Sequence, residues 1–450
     1  MRALFDRLAD ALERGVRGHE VIAATLEAEA SEFVRINHGR LRQAGRVERA
    51  VARLRLVDGE RQALHAITLP GLDAGSEALD AAVVAAIGSL RGAIADSEPD
   101  PWLDLNRAPV RSDDATPQRG FDRAAFIDCV AAAAGDADLV GFCSAGPVAR
   151  GFCSSTGSRQ WYLRSRVAFD WSVHLPPDAS AAGERRAVKA SWSGETLHPD
   201  ALARAIAASL ADASVIARPV RRLAPGSYRV LLAPQGFADL LDLLNWGGFS
   251  ARADRSGQSP LAQLAAGRAT LSPLLTVAED LGTGLAPGFQ GDGYPRPRRV
   301  PLIEHGRFAG LLVSPRSARE YGLESNAAAA SEVAESLRVA PGELPPEAAL
   351  ARLGTGILVS NLWYLNFSDR PAGRVTGMTR FASLWVEDGT PVAPIEAMRF
   401  DDSVYRMLGD RLEALGTAVA TLPADATYEA RATGGVEVPS ALISAVRFAL

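Results

Sequence analysis

The stretch NLWYLNFSDRPAGRVTGMTRFASLWVEDGTPVAPIEAMRF, Asn361 to Phe400, decides how the second half of the chain is read. Trp363, Tyr364 and Phe367 crowd its start, and Gly373, Gly377 and Gly389 punctuate the rest. Glu387-Asp388-Gly389, set between Trp385-Val386 and Pro391 to Ile395, predicts a hairpin. The aromatics exceed what one core strand needs, which suggests a shaped surface; burial of Trp363, Tyr364, Phe381 and Trp385 in a β-rich core is the other reading. Arg374 and Arg380 flank glycines, where a guanidinium can clamp a carboxylate through two hydrogen bonds or form a structural ion pair.

Working outward, Tyr228 to Ala233 reads as a strand, Pro234 to about Leu244 as a helix, Ser403 to Leu415 as a last helix and Ala441 to Phe448 as the terminal strand. Glu304-His305-Gly306 marks another hairpin turn. Residues 221–450 thus form a β-rich, largely antiparallel C-terminal domain. Upstream, Leu4, Phe5, Leu8 and Leu12 have helical spacing, and Ala50, Ala52, Leu54 and Leu56 alternate with arginines ahead of an Asp58-Gly59 turn. An alanine-rich helix spans Ser76 to Ala95. These features give an N-terminal α+β unit, 1–97, a linker, 98–120, and a central α+β unit, 121–220, with helices at Phe121 to Ala134 and Pro199 to Ala213 around strands from Leu139 to Leu175. GFCSAG at Gly141 and GFCSSTG at Gly151 read as two turns of one hairpin system. The fold class is α+β: mixed α/β units followed by the β-rich domain.

A chain of 450 residues exceeds the size at which single cores stop growing. With 47% hydrophobic and 22% charged residues it is globular rather than disordered. A formal charge of −5 argues against a general nucleic-acid partner, and no apolar run is long enough to span a membrane. Lys189 is the only lysine; Ala190 follows it and Arg186 precedes it by three, which excludes the phosphate-cradling Gly-Lys-Ser/Thr and the Ser-x-x-Lys nucleophile. Cys129, Cys143 and Cys153 lack Cys-x-x-Cys spacing and fit reduced thiols in the cytoplasm. The six histidines never pair on adjacent helical turns, and the His19-Glu20 beginning of a zinc motif meets Ala23 where a histidine would be required.

Leu362-Trp363-Tyr364-Leu365-Asn366, Gly373 to Arg380, Trp385 to Gly389 and Ala393 to Glu396 with Met398-Arg399-Phe400 together resemble the TldD/PmbA family. Weaker likeness continues through Val34 to Arg61, Gly157 with its preceding serines, and Ala318 to Asn326. Proteolytic members carry His-Glu-x-x-x-His on the helix after the first strand of the third domain, and a later zinc-binding cysteine. Here that helix reads PQGFADLLDLLNW from Pro234, and no cysteine follows Cys153. An acidic Asp-x-Glu-Gly turn of PmbA-like members is replaced by Gln290-Gly291-Asp292-Gly293.

The resemblance therefore implies a TldE/PmbA-like member without zinc of its own, paired in the cytoplasm with a TldD-like metallopeptidase subunit that supplies the zinc, the two enclosing unfolded or modified peptides. It implies no catalytic or metal-binding residue in this chain. Asn361, Trp363, Tyr364, Asn366, Arg374, Arg380 and Arg399 are the candidates for peptide binding or the interface. A stand-alone, homodimeric peptide-binding or scaffolding protein is the alternative from another class; a hydrolase using Cys143 or Cys153 is the third.

Overall fold

The computed structural model describes residues 1–69, 71–72, 77–176 and 186–449. In chain order the first half contains α1 (Arg2–Gly15), β1 (Val21–Asn37), β2 (Arg40–Asp58), β3 (Arg61–Thr68), α2 (Glu77–Ile94), β4 (Arg111–Ala115), α3 (Arg123–Ala134), β5 (Asp138–Ser154), β6 (Arg159–His174), β7 (Ala187–Gly194) and α4 (Pro199–Ile216). Its strands make one sheet in the order β3-β2-β1-β5-β6-β4, with β7 also on β6.

The period-2 pattern of these strands sorts the sheet into two faces. On one face Ile22, Ala24, Leu26, Ala52 and Leu54 pack under Leu4, Phe5, Leu8 and Leu12 of α1 and Val83 and Ile87 of α2. Further along the same face Cys143, Phe169 and Trp171 lie beneath Phe126 of α3 and Leu202 and Ile206 of α4. Trp171 stacks on Phe169 at 5.0 Å and its Nε1 donates to Ser209 Oγ at 3.2 Å, so the indole keeps a polar partner when buried. The opposite face mixes polar side chains with Phe142, Val148, Phe152 and Tyr162 and looks toward the second half.

That half contains β8 (Gly226–Leu232), α5 (Pro234–Asn245), α6 (Ala251–Arg255), α7 (Ala262–Ala265), β9 (Val277–Asp280), β10 (Arg299–Glu304), β11 (Arg307–Phe308), α8 (Pro315–Tyr321), β12 (Ser336–Val339), α9 (Pro346–Leu353), β13 (Gly356–Asp369), β14 (Arg374–Glu387), β15 (Thr390–Pro394), β16 (Arg399–Ser403), β17 (Leu412–Pro423) and β18 (Gly435–Phe448). They form one eleven-stranded sheet, in which β8, β13, β14, β16 and β18 pair in sequence and β18 returns to β8. Phe237, Leu240, Leu241 and Leu244 anchor α5 against Val230, Ile357 and Val359. Burying four such side chains stabilises this half by roughly 1.5–3 kcal/mol each before entropy is counted.

Several expectations need correction. Residues 1–97 and 121–220 share a sheet, because β1 pairs with β5 from Ala23↔Ser154 to Ile36↔Gly141. The expected linker contains β4, parallel to β6 from Arg111↔Arg159 to Ala115↔Leu163. Gly141 to Gly146 is no turn but lies within β5; a Cβ at Gly141 would come 2.5 Å from the Phe169 ring, so its lack of a side chain serves strand packing. Ser403 to Leu415 is not a helix: Gly409, at φ −98 and ψ −116, ends a single wide turn at Arg406–Asp410, and Leu412 enters β17. The Ser76 start of the second helix lies outside the described residues. The hairpins at Asp388-Gly389 (φ 47 and 75) and His305-Gly306 (φ 47 and 74) have the paired positive φ of tight primed turns.

Candidate functional site

The polar face of the first sheet and the α5 side of the second enclose a cavity of about 850 Å³, within the range of ligand sites. The alternation of β6 aims Tyr162, Arg164, Arg166, Ala168 and Asp170 into it, between Leu163, Val167 and Trp171, which point to the helices. Lys189 enters from β7, and its Nζ lies 3.3 Å from Asp170 Oδ2. The far wall is α5, which presents Gln235, Asp239, Asp242 and Asn245, together with Asn361, Trp363 and Phe381 from β13 and β14.

The loop between β17 and β18 forms a third wall. The β1–β5 ladder skips Ala30–Ser31 and Gly146–Pro147, and Arg431 from this loop enters there, donating to Gly146 O at 3.0 Å, Ser31 Oγ at 3.3 Å and Arg166 O at 3.2 Å. Burial lowers the Arg431 pKa to about 10. Two further ties join the halves: Tyr162 Oη donates to Gly284 O and Leu285 O at 2.9 and 3.0 Å, and Gln160 Nε2 to Gly293 O at 2.9 Å. The Gln290 to Gly293 turn is thereby a structural joint, with Asp292 paired to Arg55.

Carboxylates on the α5 side are held toward their neutral forms. Burial raises Asp239, although its Oδ1 accepts from Gln235 Nε2 at 2.9 Å and its Oδ2 from Leu362 N at 2.8 Å. Asp242 is pushed up to about 6, first by enclosure and then by the charges of Asp239 and Asp425. Such shifts mark sites where charge has been gathered away from bulk water.

The Asn361 to Arg399 block is irregular where it meets the cavity. The β13–β14 register slips between Val359 and Asn361, between Trp363 and Asn366, and between Phe367 and Asp369. Bulges of this kind re-aim side chains. Tyr364 and Phe381 sit at φ 49 and 54, strained for bulky residues, and such strain costs of order 1–3 kcal/mol. Asn361 is buried at 9% exposure, yet among the described residues its Oδ1 has no hydrogen-bond partner. An orphaned acceptor on a cavity wall is free for a ligand's N–H.

Of the residues singled out by sequence, Asn361 and Trp363 line the cavity. Arg380 lies over the rings of Trp363 and Phe381 at 5.5 and 5.3 Å, and Tyr364 meets Trp363 edge-on at 5.5 Å while remaining 76% exposed. The other three stand away from the lining: Arg374 pairs with Asp401, Arg399 Nε donates to Thr376 Oγ1 at 3.2 Å, and the exposed Asn366 accepts from Phe367 N at 2.8 Å. Cys143 and Cys153 are fully buried; burial pushes the Cys143 thiol up to about 12 and the Cys153 thiol up as well, which suppresses thiolate chemistry. Sequence reasoning missed Asp239, Asp242, Arg166, Lys189, Asp425 and Arg431.

The fold and site define a two-sheet protein that closes a ligand-sized cavity between its halves. Residues 225–450 match the PmbA/TldA metallopeptidase C-terminal domain. The chain belongs to the TldD/PmbA family, as its sequence motifs implied. TldE from Thermococcus kodakarensis shares the fold with a TM-score of 0.77 at 14% identity, covering 99% of this chain and 100% of that one. A proposed modulator of a DNA gyrase from Thermotoga maritima aligns with a TM-score of 0.73 at 13% identity over 100% of both chains. Another proposed modulator of DNA gyrase, from Bacteroides thetaiotaomicron, gives 0.72 at 14% identity over 100% of this chain and 98% of that one. No curated protein matches the sequence.

The family name implies a metal, and the residues at the cavity do not fit a peptidase zinc. Zinc takes three protein ligands from histidine, cysteine and carboxylate and leaves a fourth position for water. Among the described residues no histidine or cysteine lines the cavity, and of its carboxylates Asp239 is committed to Gln235 and Leu362, Asp170 to Lys189 and Glu335 to Arg296. Among the described residues no three potential ligands converge. Among them also, no helix is long and apolar enough to cross a membrane.

Proposed function

We propose that this chain is the peptide-enclosing subunit of a cytoplasmic heterodimeric metallopeptidase, catalytically silent alone, with zinc supplied by a TldD-like partner. The observation that carries this reading is the orphaned Asn361 Oδ1 on a wall of the cavity, beside a helix whose cavity-facing residues are Gln235, Asp239, Asp242 and Asn245. Hydrolysis of an amide requires an activated water, and a bound zinc supplies it by lowering the water's pKa; that chemistry belongs to the partner. This chain's share is recognition: Asn361 Oδ1 accepts a peptide N–H, Trp363 and Phe381 offer ring faces, and the walls exclude bulk water. Main-chain recognition suits unfolded or modified peptides, because it demands no particular side chain.

Mixing the purified chain with a TldD-like subunit tests this. A one-to-one complex whose peptidase rate exceeds that of the partner alone is expected. A partner that cleaves equally well without this chain, or a chain that forms only homodimers, contradicts the proposal.

A further inference from the structure

The cavity is electrically polarised along β6. Arg166 and Asp170 lie on the same face of that strand, four residues apart, or roughly 13 Å at strand spacing. Asp425 lies near Asp170 and near Asp242, Asp242 also lies near Asp239, and the cation Lys189 is already paired with Asp170. Among the described residues neither Asp242 nor Asp425 has a donor for its carboxylate, and each repels the other. At the opposite end Arg166 aims a guanidinium into the cavity; Glu195 attracts it from a distance, and among the described residues it has no hydrogen-bond acceptor and no ion pair.

The other cations near Arg166 are already satisfied. Arg164 bonds Asp114 Oδ1 at 2.7 Å, and Arg150 donates to Arg431 O at 2.8 Å. Arg431 spends its donors on Gly146 O, Ser31 Oγ and Arg166 O. The buried Glu29 partly balances them but is itself bonded by Ser31 Oγ at 2.7 Å. Unpaired charge therefore remains at two places: two carboxylates at one end and one guanidinium at the other. Beside the acidic end the Asn361 Oδ1 also lacks a donor, so an ammonium or amide N–H placed there would satisfy groups that the fold leaves open.

We propose that the cavity takes short zwitterionic peptides of about four residues in one direction, the ammonium N-terminus at Asp242 and Asp425 and the C-terminal carboxylate on Arg166. About four residues of extended chain span roughly 13 Å, the strand distance from Arg166 to Asp170, beside which Asp425 stands. This rests on the peptide-binding reading above and names its substrate class. The site then acts as a ruler: both charged ends must be present and at the right separation.

Calorimetric titration of the full, chelator-treated chain with tetra-alanine, its N-acetylated form, its C-terminal amide and octa-alanine tests it. Free tetra-alanine is expected to bind tightest. Loss of either charged end should weaken binding about tenfold, the worth of one charge-assisted hydrogen bond. In Arg166→Gln the acid and the amide should bind alike, whereas Arg166→Lys, which keeps the charge, should restore a preference for the acid; in Asp242→Asn with Asp425→Asn the acetylated and free peptides should converge. Thermal melting of each variant establishes that it is folded. Equal binding of all four peptides by the wild type overturns the polarity and length while leaving peptide recognition intact. Binding of none overturns both.

Discussion

Helix α5 and the Asn361 to Arg399 block meet on one wall of the cavity, where Leu362 N donates to Asp239 Oδ2, and they are built on opposite principles. In α5 every long apolar side chain is buried, from Phe237 to Leu244, and its polar residues fall on the remaining stripe. The block leaves Trp363 46% and Tyr364 76% exposed, holds two aromatics at positive φ and breaks register three times. A regular helix with no metal ligands maintains the fold. Strain and exposed rings, which cost stability, are kept where they can contact a ligand.

The largest effect that separates the two regions is on stability. Phe237→Ala should cost about 3–5 kcal/mol, as a fully buried aromatic does, whereas Trp363→Ala should change stability by less than about 1 kcal/mol, within the ordinary range for surface substitutions. Urea unfolding measures both; similar losses would place Trp363 in the core and erase the contrast. Trp363→Ala and Asn361→Ala should instead weaken peptide binding about tenfold, read by the same calorimetry.

A smaller effect depends on pH. Asp242 titrates near 6 in the folded protein against an ordinary 3.8. The folded state therefore binds the proton more tightly, and stability is lost as pH rises from about 4 through about 6. Asp239 and Asp425 are the charged groups that act on it. Asp242→Asn should stabilise the protein more at pH 7 than at pH 4.5; an equal gain at both would mean that enclosure does not burden this carboxylate. The smallest expected effect is at Tyr364, where glycine relieves the positive φ: Tyr364→Gly should stabilise by about 0.5–1 kcal/mol, the strain released less glycine's backbone entropy, while lowering peptide affinity. A destabilised variant would show that the Tyr364 ring serves packing.

Much of the fold was legible because local patterns and tertiary burial agreed. Leu4, Phe5, Leu8 and Leu12 at helical spacing became the buried stripe of α1, and Asp388-Gly389 became the expected turn. What failed was long-range: nothing local indicates that Ala23 will pair with Ser154, so two expected units were one sheet. Gly409 interrupted an amphipathic run that otherwise reads as helix. Of the residues that motif likeness singled out, Asn361 and Trp363 lie on the cavity lining. The charged wall was visible in principle as Arg164, Arg166 and Asp170 alternating with Leu163, Val167, Phe169 and Trp171, and as Asp239 and Asp242 one turn apart in a leucine-rich helix. Which face would meet a cavity depended on the docking of the second half, to which Arg431 contributes from more than 260 positions away.

The central claim is a division of labour, with recognition here and metal chemistry in a TldD-like partner. Its most direct test is the peptidase rate of the reconstituted pair after each subunit in turn has been stripped with chelator, cleared of it and mixed with its untreated counterpart. Stripping this chain should leave the rate unchanged, and stripping the partner should abolish it. Loss of activity on stripping this chain, with restoration when zinc is returned to it alone, would contradict the account.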